Sequence, residues 1–199
     1  MCERLRDVLA FAQIPRPSPR LTFARTRRET MRMRSARFVI RRARAGDASA
    51  IAEVYIAARR GAARYFPTVH SDDEIRGWIA SHVVPNLEGW VAEGTEPDPG
   101  AIVAMMALDG AMLEQLYVAP AWQGRGVGNR LLALAMRERP AGLRLWTFQA
   151  NTPARRFYEA RGFRAVEFTD GARNEERAPD VLYEWKGKEE TIKTIDRFH

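Results

Sequence analysis

The residues with the clearest chemical potential are Gln123, Gly124, Arg125, Gly126, Val127, Gly128 and Asn129, which read QGRGVGN and run into the amphipathic stretch RLLALAMRER. Glycines at alternate positions let backbone N–H groups converge in a tight turn, and the start of the following helix adds a partial positive charge. Together these features describe an anion site, for which a pyrophosphate is the natural size. A tight turn with close helix packing explains the same glycines without any ligand, and the loop alone does not separate the two readings. A dinucleotide fingerprint would place Gly where Asn129 stands, and a nucleoside-triphosphate loop would follow its last glycine with Lys and then Ser or Thr. Neither pattern is present. His70, His82 and His199 are scattered and Cys2 is the single cysteine, so neither a structural zinc site nor an internal disulfide is expected.

These residues need elements to position them. The run ARFVIRRA from Ala36 suits a strand, and Asp47 is a candidate N-cap for a helix whose Ile51, Val54, Tyr55 and Ala58 share one face. Ser71 and Glu74 fit a capping box before Ile75, Trp78, Ile79 and His82, so the acids there belong to a helix start rather than to a catalytic cluster. Three strand-like runs follow, GWVAEG, GAIVAMMALDG and AMLEQLYVAP, broken by Pro97-Asp98-Pro99-Gly100 and Asp109-Gly110, as in an antiparallel meander. After the glycines a helix extends to Pro140. LRLWTFQ is a further strand, and TPARRFYEARG a short helix with Thr152 as cap, Pro153 at its first position and Gly162 as terminator. FRAVEF and VLYEW close the chain's pattern as two strands around a polar connection. The expected fold class is α+β, in the order βααβββαβαββ, a mixed, mainly antiparallel twisted sheet with helices on both faces.

With 199 residues and 46% hydrophobic content, the chain supports one sizeable core. No run approaches the roughly 18 apolar residues of a membrane span, and a cytoplasmic protein without a membrane partner is expected. The net charge of +7 is unevenly placed: residues 1–44 hold 13 Arg against Glu3, Asp7 and Glu29, which leaves the remainder mildly acidic at −3. Residues 1–35 read as a flexible Arg-rich extension, residues 36–186 as the folded domain and residues 187–199 as a tail. The extension is open to three readings: an over-long or unstructured start, an arm for an anionic partner, or a targeting peptide. Nucleic-acid binding through it lacks interleaved aromatics and a reading helix, and the acidic body has the wrong sign.

The pair of stretches QLYVAPAWQGRGVGNRLL and WTFQANTPARRFYEARGF resembles the GCN5-related N-acetyltransferase superfamily. In that superfamily a Gln/Arg-x-x-Gly-x-Gly/Ala motif follows a strand ending in Val-x-Pro, and an Asn is followed seven residues later by Tyr and then by Gly-Phe. Here those positions are Gln123, Gly126 and Gly128, then Asn151, Tyr158, Gly162 and Phe163. The resemblance covers about residues 37–186 and implies a direct transfer of acetyl from acetyl-coenzyme A to an amine in a ternary complex. It implies that the backbone from Gln123 to Gly128, with Asn129, holds the pyrophosphate, and that Arg125 adds charge. It further implies a bulged strand LEQLYV splayed from LRLWTF, with Tyr117 and Val118 bonding the pantetheine arm through their main chains. Asn151 would contact that arm, with Ala154 and Phe157 against the cofactor; a helix-cap role for Asn151 is compatible with this.

Amine acylation sets three tasks, because a protonated amine must lose its proton, the carbonyl oxygen gains charge, and a thiolate departs. The resemblance assigns the Val118 N–H to the oxygen, the Tyr158 hydroxyl to the thiolate as general acid, and Glu114 to the base, directly or through water. A packed-aromatic role for Tyr158 and an exposed-strand role for Glu114 are the bland alternatives. For the acceptor, a small-molecule or peptide amine, Glu175, Glu176 and Asp180 between the last strands are candidate contacts, with His70, Tyr55 and Trp78 as further ones. A solvated hairpin tip is the competing reading of the three acids. No metal is implied, and neither the acceptor nor a homodimer is specified. A non-catalytic coenzyme A-binding module is the main rival, against which Tyr158 stands.

Overall fold

The computed structural model describes residues 38–95 and 98–187. The expected extension 1–35, the tail beyond Gly187, Cys2 and His199 lie outside the described residues. The strands are β1 (Phe38–Arg42), β2 (Glu88–Gly94), β3 (Ile102–Asp109), β4 (Met112–Val118), β5 (Leu143–Phe148), β6 (Arg164–Phe168) and β7 (Asp180–Trp185). The helices are α1 (Ala48–Ala62), α2 (Asp72–Trp78), α3 (Val84–Asn86), α4 (Val127–Glu138) and α5 (Thr152–Glu159). All the strands join one seven-stranded sheet in the order β1-β2-β3-β4-β5-β7-β6, antiparallel except where β4 meets β5. The last strand thus inserts between β5 and β6. Among the described residues no helix is long and apolar enough to cross a membrane, and no group of His, Cys, Asp and Glu could hold a metal ion.

Both faces of the sheet are covered, and the period-two alternation along each central strand divides the core. Ala104, Met106, Leu108, Leu116 and Val118 pack beneath Val127, Leu131, Leu132 and Ala135 of α4 and Ala154, Phe157 and Tyr158 of α5. On the other face Val91, Met105, Ala107, Tyr117 and Phe148 pack against Ile51, Val54, Tyr55 and Ala58 of α1 and Ile75 and Trp78 of α2. The helical run from Asp72 is longer than its apolar spacing indicates. It widens to a π-helical turn over Ile79–Val83, in which the Val84 N–H reaches the Ile79 carbonyl, before α3. Pro85 accounts for the widening, since it has no N–H and its ring would collide with the carbonyl four residues back.

Two capping assignments are corrected. Ser71 and Glu74 do form the reciprocal box expected for α2. Asp47, however, makes no side-chain cap for α1. Its carboxylate accepts from the Arg44 N–H at 2.8 Å and from both terminal nitrogens of Arg41, at 2.7 and 3.0 Å, because a one-turn 3₁₀ segment, Ala45–Asp47, intervenes before the helix. At α5 the cap is Asn151, not Thr152: the Asn151 Oδ1 accepts from the Ala154 N–H at 3.2 Å and Thr152 becomes the first helical residue.

Candidate active site

The glycine loop connects β4 to α4 through a short 3₁₀ turn, Pro120–Trp122. Gly124 and Gly126 have φ of +75° and +83°, the left-handed region that an L side chain rarely enters. At Gly126 a Cβ would meet nothing within 4 Å, so the requirement there is conformational and the loop faces open space. Gly126 is also the N-cap of α4 and provides no side-chain cap, which leaves the first amides of a twelve-residue helix turned outward. Gly128 has a different role: its Cβ position lies 3.6 Å from Val118 Cγ2 and 3.7 Å from Phe157 Cζ, where α4 sits close to β4 and α5. The Gln123 Nε2 donates to the Val118 carbonyl at 3.2 Å and ties the loop to the strand end. The Arg125 guanidinium lies 5.3 Å over the Trp122 ring, and Val127, the first residue of α4, is buried against the sheet.

Beside the loop the sheet opens. β4 and β5 share one ladder pair, Met112 with Arg144, and then diverge. Across the other edge of β4, Ala107 is opposite Gln115 while Leu108 is opposite Leu113, so Glu114 is the extra residue of a bulge, half-exposed. The Ala119 N–H donates to the Val103 carbonyl at 2.9 Å. Antiparallel alternation then directs the amide groups of Tyr117 toward β3 and those of Leu116 and Val118 toward the gap. The Tyr117 amide, expected to face a ligand, thus turns toward β3, while the Leu116 amide, which the motif reading passes over, faces the gap beside that of Val118.

Across the gap, at the end of β5 and the start of α5, the chain buries polar atoms without protein partners. The Asn151 Oδ1 is engaged as the α5 cap, whereas its Nδ2 is buried and has no hydrogen-bond partner; the same holds for Thr147 Oγ1. Such groups are costly unless something else completes them. Thr147 is absent from the sequence-derived candidates because a Thr inside a strand signals only β propensity. Tyr158 is fully buried, with its ring edge-on to Phe157 at 5.2 Å and to Phe163 at 5.6 Å. Ala154 and Phe157 are buried on the same helix. Asn129, in the first turn of α4, accepts through Oδ1 from Arg161.

On the opposite face the expected acceptor contacts are brought together in part. His70 Nε2 and Glu175 Oε2 lie 2.6 Å apart, each about a quarter exposed, which joins the loop before α2 to the β6–β7 connection. Glu176 and Asp180 do not line an open pocket. Glu176 is 5% exposed and accepts from Arg59 Nη2 at 2.9 Å. Asp180 is 6% exposed and accepts from Thr169 Oγ1 and, at 2.9 Å, from Asn174 Nδ2. The polar connection must bury its own backbone turns, and these acids hold it folded. Tyr55 and Trp78 are also buried, with their rings 5.7 Å apart, and Tyr55 stacks on Tyr117 at 4.5 Å. Burial is the main cause that raises both tyrosine hydroxyls above their ordinary range, so both are neutral hydrogen-bonding groups. Arg59, which spacing does not single out, contacts the Tyr55 hydroxyl at 3.4 Å and closes this buried polar set.

The chain is similar to known proteins in this same region. Residues 85–165, from α3 to the start of β6, match the family model described as an acetyltransferase (GNAT) domain. A peptidyl-lysine N-acetyltransferase of Escherichia coli K12, YiaC, is 30% identical over 101 residues, a stretch that is 50% of this chain and 64% of the relative. Among solved structures, the apo form of YjaB from Escherichia coli superposes with a TM-score of 0.61 at 22% identity, covering 76% of this chain and 99% of that one. The PaiA N-acetyltransferase of Thermoplasma acidophilum, in complex with coenzyme A, superposes with a TM-score of 0.56 at 19% identity, covering 75% and 99%. The glycine loop after β4, the parted strands and the Asn151-to-Phe163 signature thus lie within or beside the stretch that matches the acetyltransferase (GNAT) domain model, and the fold is the one that these solved structures share.

Proposed function

We propose that this chain transfers an acetyl group from acetyl-coenzyme A to a primary amine, directly and within a ternary complex. The observation that carries the reading is the gap between β4 and β5. It is flanked by outward amides at the α4 start, by the Leu116 and Val118 amides, and by the unpartnered Asn151 Nδ2 and Thr147 Oγ1. That sequence of donors and acceptors fits a long arm ending in a phosphate group. The backbone from Gln123 to Gly128, with Asn129 and Arg125, would hold the pyrophosphate. Leu116, Val118, Thr147 and Asn151 would bond the pantetheine, and Ala154 and Phe157 would pack along it. When bound, the cosubstrate supplies an acetyl thioester.

The remaining work falls to the protein. The Val118 N–H would donate to the acetyl oxygen as charge develops there. The Tyr158 hydroxyl delivers the proton that the departing sulfur requires. Glu114 is the proposed base, but it precedes Val118 by four strand positions, roughly 13 Å along an extended chain, so it acts through water rather than directly. The His70–Glu175 pair borders the acceptor side, where Tyr55 and Trp78 form the buried wall. The likeness to a peptidyl-lysine N-acetyltransferase favours a lysine side chain, or another exposed primary amine, as acceptor. The test is a thiol-release screen with acetyl-coenzyme A across lysine peptides and small amines, with mass spectrometry of the product. Acetylated product from at least one primary amine is expected. Tight cofactor binding with no acetylated product from any of them would leave only a cofactor-binding role.

A further inference from the structure

We propose that Arg161 supplies the fixed positive charge that recognises the phosphates of the acyl donor, an inference that rests on the reading above. Arg161 follows α5, yet its guanidinium reaches back to α4. One nitrogen, Nη1, donates to the Phe157 carbonyl at 2.5 Å and the other, Nη2, donates to Asn129 Oδ1. The group stacks 3.8 Å over the Phe157 ring. It is therefore clamped from three sides, two of them within the proposed cofactor site.

A cation at the end of a helix needs no ligand, and the bond to the Phe157 carbonyl satisfies that structural role for α5. It does not account for the second half of the contact. Asn129 stands in the first turn of α4, where the helix end is itself partially positive and repels a guanidinium. Partial burial also works against the charge and lowers the Arg161 pKa, and among the described residues no carboxylate acts on it in return. The guanidinium and the positive start of α4 thus meet at Asn129 with no carboxylate acting on Arg161 among the described residues. An anion placed on the loop amides would neutralise both, and a guanidinium already held by a ring and two oxygens loses little freedom in meeting it. No short motif marks Arg161, since the quoted signature names Tyr158 and then Gly162 and Phe163 and passes over the residues between.

The experiment measures coenzyme A binding to the full chain by calorimetry across a salt series, for wild type, Arg161→Met, Arg161→Gln and Arg161→Lys. The Met and Gln variants are expected to bind roughly 10- to 100-fold more weakly. Their affinity should also depend less steeply on salt, because one phosphate-facing charge is gone, and Lys should restore part of both. Pantetheine, which keeps the arm and lacks the phosphates, should bind the Met variant as it binds wild type. Thermal melting identifies a variant that fails to fold, and the Gln variant then carries the test because it retains a donor for Asn129. An unchanged coenzyme A affinity would overturn the proposal, as would an affinity loss with the wild-type salt slope. A wild-type protein that binds no coenzyme A at all would instead remove the donor reading on which the inference stands.

Discussion

At the scale of single residues, Tyr158 and Gly126 separate chemistry from binding. The Tyr158 ring is wedged edge-on between Phe157 and Phe163, so Tyr158→Phe preserves the packing and deletes only the hydroxyl. General acid catalysis is worth roughly 10²–10⁴-fold, and a thiolate leaves tolerably without a proton, so a fall in kcat of about 10²-fold is expected with cofactor affinity retained. A wild-type kcat under conditions where chemistry limits would make Tyr158 a packing residue. Gly126→Asp adds a carboxylate on a Cβ that meets nothing within 4 Å, so no clash at the point of attachment confuses the outcome. The positive φ strains any side chain there, and Gly126→Asn is the control that shares this strain without the charge. Acetyl-coenzyme A should bind Gly126→Asp at least tenfold more weakly than Gly126→Asn. Equal affinities in calorimetry would mean that the loop does not face the phosphates.

At the scale of elements, the β6–β7 connection is held to α1 by a buried ion pair, Arg59 with Glu176, at 5% and 3% side-chain exposure. Breaking such a pair leaves one charge buried and uncompensated. Glu176→Gln or Arg59→Met is therefore expected to cost about 3–5 kcal/mol, while the double replacement Arg59→Met with Glu176→Leu recovers most of it. Denaturant unfolding of the three variants decides the matter; a single variant within about 1 kcal/mol of wild type would show the pair to be dispensable. The same connection shows why part of the site was illegible. Composition reveals three acids between two strands, and nothing local distinguishes an acid aimed at a ligand from one aimed at an arginine 117 residues away. The elements themselves were largely readable, because Ile51, Val54, Tyr55 and Ala58 or Leu131, Leu132 and Ala135 announce their faces by spacing alone. The edge to which an amide turns is set by register, which is why Tyr117 rather than Leu116 entered the sequence-derived list. Asn151 and Tyr158 were legible for a different reason: a resemblance carried them, not periodicity.

At the scale of the whole molecule, electrostatics set an acid limit on the fold. Asp47 links β1 to the approach of α1, and its carboxyl lies below the ordinary range, first because of the Arg41 hydrogen bonds and then because of the Arg44 N–H. Its folded pKa is below its unfolded one. Its stabilising contribution is thus complete above the ordinary carboxylate range and is lost as pH falls through the lowered folded value. The melting temperature should therefore drop below about pH 4, and Asp47→Asn should flatten part of that drop while being the less stable protein at neutral pH. An unchanged acid limb in the variant would exclude Asp47 from it. The sheet has a second property at this scale. β1 to β4 form one continuous ladder and β5 to β7 another, with Met112 and Arg144 as the lone backbone rung between them. Beyond that rung, side chains of α4 and α5 bridge the two ladders. A guest arm lying between them would serve as a surrogate strand and convert two rafts into one plate. Hydrogen–deuterium exchange should then report occupancy directly: Leu116 and Val118 are expected to exchange fast in the free protein and slowly with coenzyme A, while Tyr117, already facing β3, barely changes.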